Sequence, residues 1–212
     1  MSRSIVVTRP HHEIVTKYLC DWSKEVVDMA RTKGLEVFDL DGTKSTRRNF
    51  EGYVKKHSPN FAFVNGHGNA LEVAGHENEI IIDKECNLKI QIIYARSCEA
   101  ALILGPSLVS RSVDTFIGYT RKFIFGYDPS KCYKPLDDVL AKLFLEPSNL
   151  VASTIIKGHP AREANKRSKD AMYKNFRKMI SSRATYEERF AARWLWSNIN
   201  SQVVLGDPNC VF

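Results

Sequence analysis

Short apolar runs recur along this chain, separated by longer segments with helical spacing, and that alternation constrains the fold more than any other feature. Ser4–Thr8 and Leu35–Leu40 are β-rich, and "FAFVN" (Phe61–Asn65), "IQIIYA" (Ile90–Ala95) and Thr115–Tyr119 are almost wholly apolar. Strands of this kind are buried on both faces. Between them, Ile14, Tyr18, Trp22, Val26 and Met29 keep helical spacing in a segment running from Pro10 to Lys33, where Gly34 stops it. Helices are also expected over Thr43–Lys56, Glu99–Leu104, Pro135–Leu145, Ala161–Ile180 and Tyr186–Asn198. Leu71–Ala74 and Glu79–Asp83 read as a hairpin, and Val203–Leu205 as a last short strand. The pattern predicts an α/β fold: a mostly parallel central sheet covered on both faces, in three layers.

At 212 residues and 43% hydrophobic, the chain suits one substantial core, so a single domain spanning 1–212 is expected. No apolar span of about 20 residues stands out and the first ten residues lack a signal-peptide core, so a soluble, cytoplasmic protein is expected. Five scattered cysteines without a CxxC pair indicate neither a disulfide framework nor a zinc ribbon. The net charge of +7 is matched by Lys157–Arg193, where eleven Lys/Arg meet four Asp/Glu. With Ala164, Ser168, Ala171, Met172, Phe176 and Met179 on one side of a helix, these cations form its solvated outer face. Nucleic acid and membrane are not expected as partners.

Ligands of open α/β sheets bind beyond the carboxyl ends of the strands. His67 follows Phe61–Asn65 there and Cys98 follows Ile90–Ala95, so parallel neighbouring strands would bring an imidazole and a thiol to one rim. An imidazolium, or a helix starting just after Cys98, would lower the thiol pKa and produce a nucleophile. Gly66 and Gly68 leave backbone unshielded beside His67, where N–H groups can meet an oxyanion.

The ordered blocks "FAFVNGHG" and "IQIIYARSCEAA", with "DTFIGYTRKFIF" and the ending "VVLGDPNCVF", resemble the caspase, gingipain, legumain and separase clan of cysteine peptidases, and gingipain-like and CHAT domains most. The resemblance implies a caspase-like α/β/α sandwich and peptide hydrolysis through a thioester on Cys98, with His67 as acid/base and the N–H groups of Gly68 and Cys98 as oxyanion hole. It implies a protein or peptide substrate, no cofactor and no metal in the chemistry, although calcium or a regulatory protein partner activates some relatives. Arg96, two residues before the cysteine, and Arg9, ending the first strand, stand where such peptidases build the pocket for the residue preceding the cut. Two guanidinium groups there would favour an acidic side chain.

Two alternatives stay open. The same fold with its reactive groups misplaced would be a catalytically silent partner-binding domain. "VFDLDGT" (Val37–Thr43) matches the first motif of haloacid-dehalogenase-type phosphatases, with Asp39 and Asp41 acting through magnesium. Too little chain follows Asp207 for that core, so Asp39 and Asp41 read as a strand end, Gly42 as the turn and Thr43 as the next helix cap. His67, His76 and Cys86 match no common zinc spacing, and His11-His12 reads as an exposed polar pair at a helix start.

Overall fold

The computed structural model describes residues 3–212. Its centre is a six-stranded sheet in the order β2-β1-β3-β6-β7-β8, formed by Ser4–Arg9 (β1), Glu36–Asp41 (β2), Phe61–Asn65 (β3), Ile92–Arg96 (β6), Thr115–Tyr119 (β7) and Gln202–Gly206 (β8). The first five strands run parallel and β8 runs antiparallel to β7. Glu72–Ala74 (β4) and Ile80–Asp83 (β5) form the expected hairpin outside the sheet.

Period-two alternation sorts the strand side chains into two cores. Ile5, Val7, Phe61, Phe63, Ile92, Tyr94, Ile117 and Tyr119 face one layer, made by helices Ile14–Thr32 (α1), Val139–Ile156 (α4), Ala161–Met179 (α5) and Tyr186–Ser201 (α6). Val6, Ala62, Val64, Ile93, Ala95 and Phe116 face the other, where Arg47–His57 (α2), Leu104–Arg111 (α3) and the hairpin pack. The result is the α/β/α sandwich that the run pattern predicts.

Three helix expectations are corrected. The second helix starts at Arg47, because Gly42–Lys44 is a 3-10 turn and Thr46, not Thr43, accepts from the Asn49 N–H at 3.3 Å. The stretch after Cys98 is a run of turns, and α3 begins only at Leu104. The fourth helix continues eleven residues past Leu145, through Pro147. Proline removes the N–H that would reach the Leu143 carbonyl, and the Asn175 side-chain amide of α5 donates to that carbonyl at 2.9 Å instead. This helix is long and apolar enough by composition to cross a membrane, which corrects the reading that no such span exists, but two-thirds of it is buried against the sheet and its neighbours.

Candidate active site

The pairing of β3 with β6 places Phe61 opposite Ile92 and Asn65 opposite Arg96, an offset of 31 held along the whole strand. The same offset relates His67 to Cys98, so continuing both parallel strands by two residues delivers them side by side at the carboxyl rim. Both line one small cleft with Val15 and Leu19 of α1, Gly66, Arg96, Ser97, and Phe123 and Phe125 of the extended segment after β7.

Each glycine beside His67 is required by a close approach. Gly66 has φ +152°, and a Cβ there would lie 1.9 Å from the Ala74 carbonyl oxygen of β4. At Gly68 a Cβ would meet Ser97 Oγ at 2.2 Å and the Glu72 carbonyl oxygen at 2.6 Å. The loop is stitched to the hairpin by Ala74 N–H to His67 O at 2.9 Å and Asn69 N–H to Glu72 O at 3.1 Å. Those bonds bypass the Gly68 N–H. Among the described residues neither it nor the Cys98 N–H has a protein acceptor; Cys98 lines the cleft, and Gly68 directly follows His67, which lines it too.

The imidazole is held from a direction that the sequence did not advertise. Glu13, just before α1, binds His67 Nε2 through its carboxylate Oε1, and its own N–H donates to Thr16 Oγ1 at 3.2 Å. An acid opening the first helix was the only signal. Cys98 is half-buried, and its nearest polar partner is the Phe123 carbonyl at 3.7 Å. No thiol–imidazole hydrogen bond joins the pair among the described residues. Burial pushes the Cys98 thiol above its ordinary pKa, helped by the Glu99 carboxylate and opposed by the Phe123 contact and Lys122. The expected helix-start effect is absent because α3 begins six residues after the cysteine.

Neither arginine is free to meet a substrate carboxylate. Arg96 has no solvent exposure. Its Nε donates to Asn65 Oδ1 at 2.9 Å, Nη1 to Ser148 Oγ at 2.9 Å and Asn149 Oδ1 at 2.8 Å, and Nη2 to the Leu19 carbonyl at 3.0 Å and Ser23 Oγ at 2.7 Å. All five guanidinium donors are thereby occupied, and the group also lies over the Phe63 ring at 5.1 Å. Burial lowers its pKa to about 10. Arg9 points toward β2, with Nε 2.7 Å from Asp39 Oδ1 and Nη2 3.0 Å from Asp41 Oδ2, and is not part of the cleft wall. An acid-selecting arginine pair is therefore corrected to two structural arginines.

The phosphatase reading fails on the same geometry. Asp39 is committed to Arg9 and, at 3.4 Å, to Arg31. Asp207 follows β8, whose Gly206 pairs with Thr115 at the start of β7, so it lies on the rim opposite Asp39 and Asp41.

No family model and no curated protein matches the chain. Among solved structures, a complex of Porphyromonas gingivalis RgpB pro- and mature domains matches with a TM-score of 0.60 at 9% identity. The match covers 99% of this chain and 48% of that one, so the chain spans about half the length of the structure it resembles. At this identity the likeness shows a fold, the caspase-like one, and the sheet order and flanking helices agree with it.

Proposed function

We propose that this chain is a cysteine peptidase acting through Cys98 and His67. The observation that carries the reading is the shared cleft, lined by the Cys98 thiol and by an imidazole already held by a carboxylate; the N–H groups of Cys98 and of Gly68, next in sequence to that imidazole, have no protein acceptor among the described residues. Glu13 accepting the Nε2 proton selects the tautomer with its lone pair on Nδ1. That nitrogen takes the proton of the Cys98 thiol as sulfur attacks the scissile carbonyl. The carbonyl oxygen becomes an oxyanion between the N–H groups of Gly68 and Cys98. His67 returns the proton to the leaving amine, leaving a thioester. Water then adds to the thioester with His67 as base, releasing the carboxylic acid and restoring the thiol.

The substrate preference follows from the space. The cleft holds about 20 Å³, room for one water and no large side chain. With Phe123 and Phe125 as its wall, this narrowness supports a small residue such as glycine before the cut over aspartate or glutamate.

A second reading, a silent domain that binds a partner, is favoured by the raised thiol pKa and the narrow cleft. Labelling with a peptidyl acyloxymethyl ketone carrying glycine at its terminal position separates the two. A peptidase gives selective modification at Cys98, located by peptide mass mapping, and cleaves a peptide library that the Cys98→Ala protein leaves intact. Equal labelling of Cys98 and Cys132, the other half-buried thiol, with no library cleavage, would reject the peptidase.

A further inference from the structure

A second constellation lies on the same rim, two strands away. His11 follows β1, Cys20 lies on the inner side of α1, and Asp41 ends β2. Cys20 Sγ is 3.5 Å from Asp41 Oδ1 and 3.9 Å from His11 Nδ1, and His11 Nδ1 is 3.8 Å from the same Asp41 oxygen. Three atoms at those separations share a centre about 2.2 Å from each, which matches zinc bonds to imidazole nitrogen, carboxylate oxygen and thiolate sulfur at about 2.0–2.3 Å. A tetrahedral ion sits out of the plane of its three donors, so the donors would close by a few tenths of an ångström on binding.

The surroundings support each donor. The His11 ring occupies the space where a Cβ of residue 42 would be, at 2.6 Å from Cε1 and 2.7 Å from Nε2, and Gly42 leaves it open. Arg9 Nη2 binds Asp41 Oδ2 at 3.0 Å, turning Oδ1 toward the thiol and the imidazole, as outer-shell partners of metal ligands do. Arg9 Nη1 also approaches Cys20 Sγ at 3.3 Å, which partly opposes the burial that pushes this thiol up to about 12, so the thiol keeps its proton until an ion displaces it.

Two further imidazoles stand on the same rim. The hairpin turn brings His76 to this rim, its N–H donating to the Ser45 carbonyl at 2.9 Å. The His76 ring then lies 5.9 Å from His11 and 5.4 Å from His12, and His12 lies 6.4 Å from His67. Nδ1 of His76 and both ring nitrogens of His12 are shielded from solvent yet have no partner, and buried polar atoms normally find one.

We propose that His11 Nδ1, Cys20 Sγ and Asp41 Oδ1 form a site for one divalent transition metal of the zinc class, with its remaining position open to water or a further ligand. On binding, the ion replaces the thiol proton, which leaves to solvent. Asp39 and Asp41 carry two negative charges against Arg9, with Arg31 paired to Asp39 from the exposed side; the added ion and the lost proton change the cluster's charge by only one. Magnesium and calcium are excluded by the nitrogen and sulfur donors. The site is independent of the peptidase chemistry, because His67 and Cys98 are not among its ligands.

Chelator-stripped full-length protein titrated with cobalt(II), then with zinc, tests this. The expected result is one cobalt per chain with a thiolate-to-cobalt charge-transfer band in the near ultraviolet, displaced by one equivalent of zinc. Cys20→Ser removes the band. His11→Ala, which alters a half-exposed side chain and spares the core, weakens zinc binding about tenfold or more, and Asp41→Asn does likewise. Cys98→Ser and His67→Ala keep both the band and the affinity. A band that survives Cys20→Ser, a band lost with Cys98→Ser, or zinc affinity unchanged by His11→Ala would each overturn the site, as would the absence of any stoichiometric binding.

Discussion

At the scale of residues, Arg96 is fully buried with all five of its guanidinium donors committed. It joins β3, β6, α1 and α4 beneath the cleft without a single carboxylate partner. Substituting methionine keeps much of the volume but takes the donor from Asn65, Ser23, Ser148 and Asn149, while the Leu19 carbonyl keeps its bond from Ser23 Oγ, at about 1–3 kcal/mol for each group that cannot find another. Arg96→Met is expected to lower unfolding free energy by at least about 3 kcal/mol, measured by urea denaturation. Loss below about 1 kcal/mol would mean that these acceptors are satisfied another way. The spacing to Cys98 drew attention to Arg96, but its partners come from three other elements, which no local pattern can reveal.

The thiol itself gives a pH prediction. A group that loses its proton with difficulty reacts as thiolate in proportion to pH until its own pKa is passed. Because burial holds Cys98 above the ordinary value of 9.0, its alkylation by iodoacetamide should rise about tenfold per pH unit through neutral pH and still be rising at pH 9. Glu99→Gln removes a charge that opposes ionisation and should speed alkylation at pH 7 about twofold, while Lys122→Gln should slow it. A plateau near pH 7 would show instead that a neighbouring cation governs the thiol. Glu99 holds φ +56° immediately after the cysteine, so glutamine, with the same shape, isolates charge from backbone strain.

At the scale of elements, the strand–glycine–hairpin unit decides where His67 stands. The apolar run ending in Asn65 made β3 legible, and the two glycines pointed to a close approach. The partner of that approach was not legible, because it is the backbone of β4 and the side chain of Ser97. Gly→Ala at a compatible position gains up to about 1 kcal/mol, but Gly66→Ala should cost more than that, since its Cβ would sit 1.9 Å from a carbonyl that the hairpin holds in place. The measurement is a thermal melt of Gly66→Ala beside Gly52→Ala, where the added methyl meets nothing within 4 Å. Equal melts would show that β4 yields easily. The length of α4 has the same origin: Pro147 is a stop signal in one dimension, and Asn175, 32 positions beyond the Leu143 carbonyl that it satisfies, cancels it from another helix.

At the scale of the whole molecule, the two ends of the sheet do separate work. The carboxyl rim gathers Glu13, His67, Cys98 and Phe123 from four segments, and only the second and third could be read in advance, because a shared strand offset is visible in sequence while adjacency across α1 and the β7 extension is not. The opposite rim is closed by the last residues: Phe212 packs against Phe61 at 5.8 Å between ring centres, and its carbonyl accepts from Arg3 Nη1 at 3.1 Å. Five residues of strand, about 17 Å, divide Phe212 from the cleft, and effects of sites so far apart are usually additive. Phe212→Ala should therefore lower stability by about 3 kcal/mol, as large-to-small changes in a core do, while leaving the rate of Cys98 alkylation unchanged well below the melting temperature. A combined Phe212→Ala and Glu99→Gln protein should show both single effects undiminished. If Phe212→Ala alone altered thiol reactivity while the chain stayed folded, the two rims would be coupled through β3, and the sheet could no longer be treated as a rigid platform for the site.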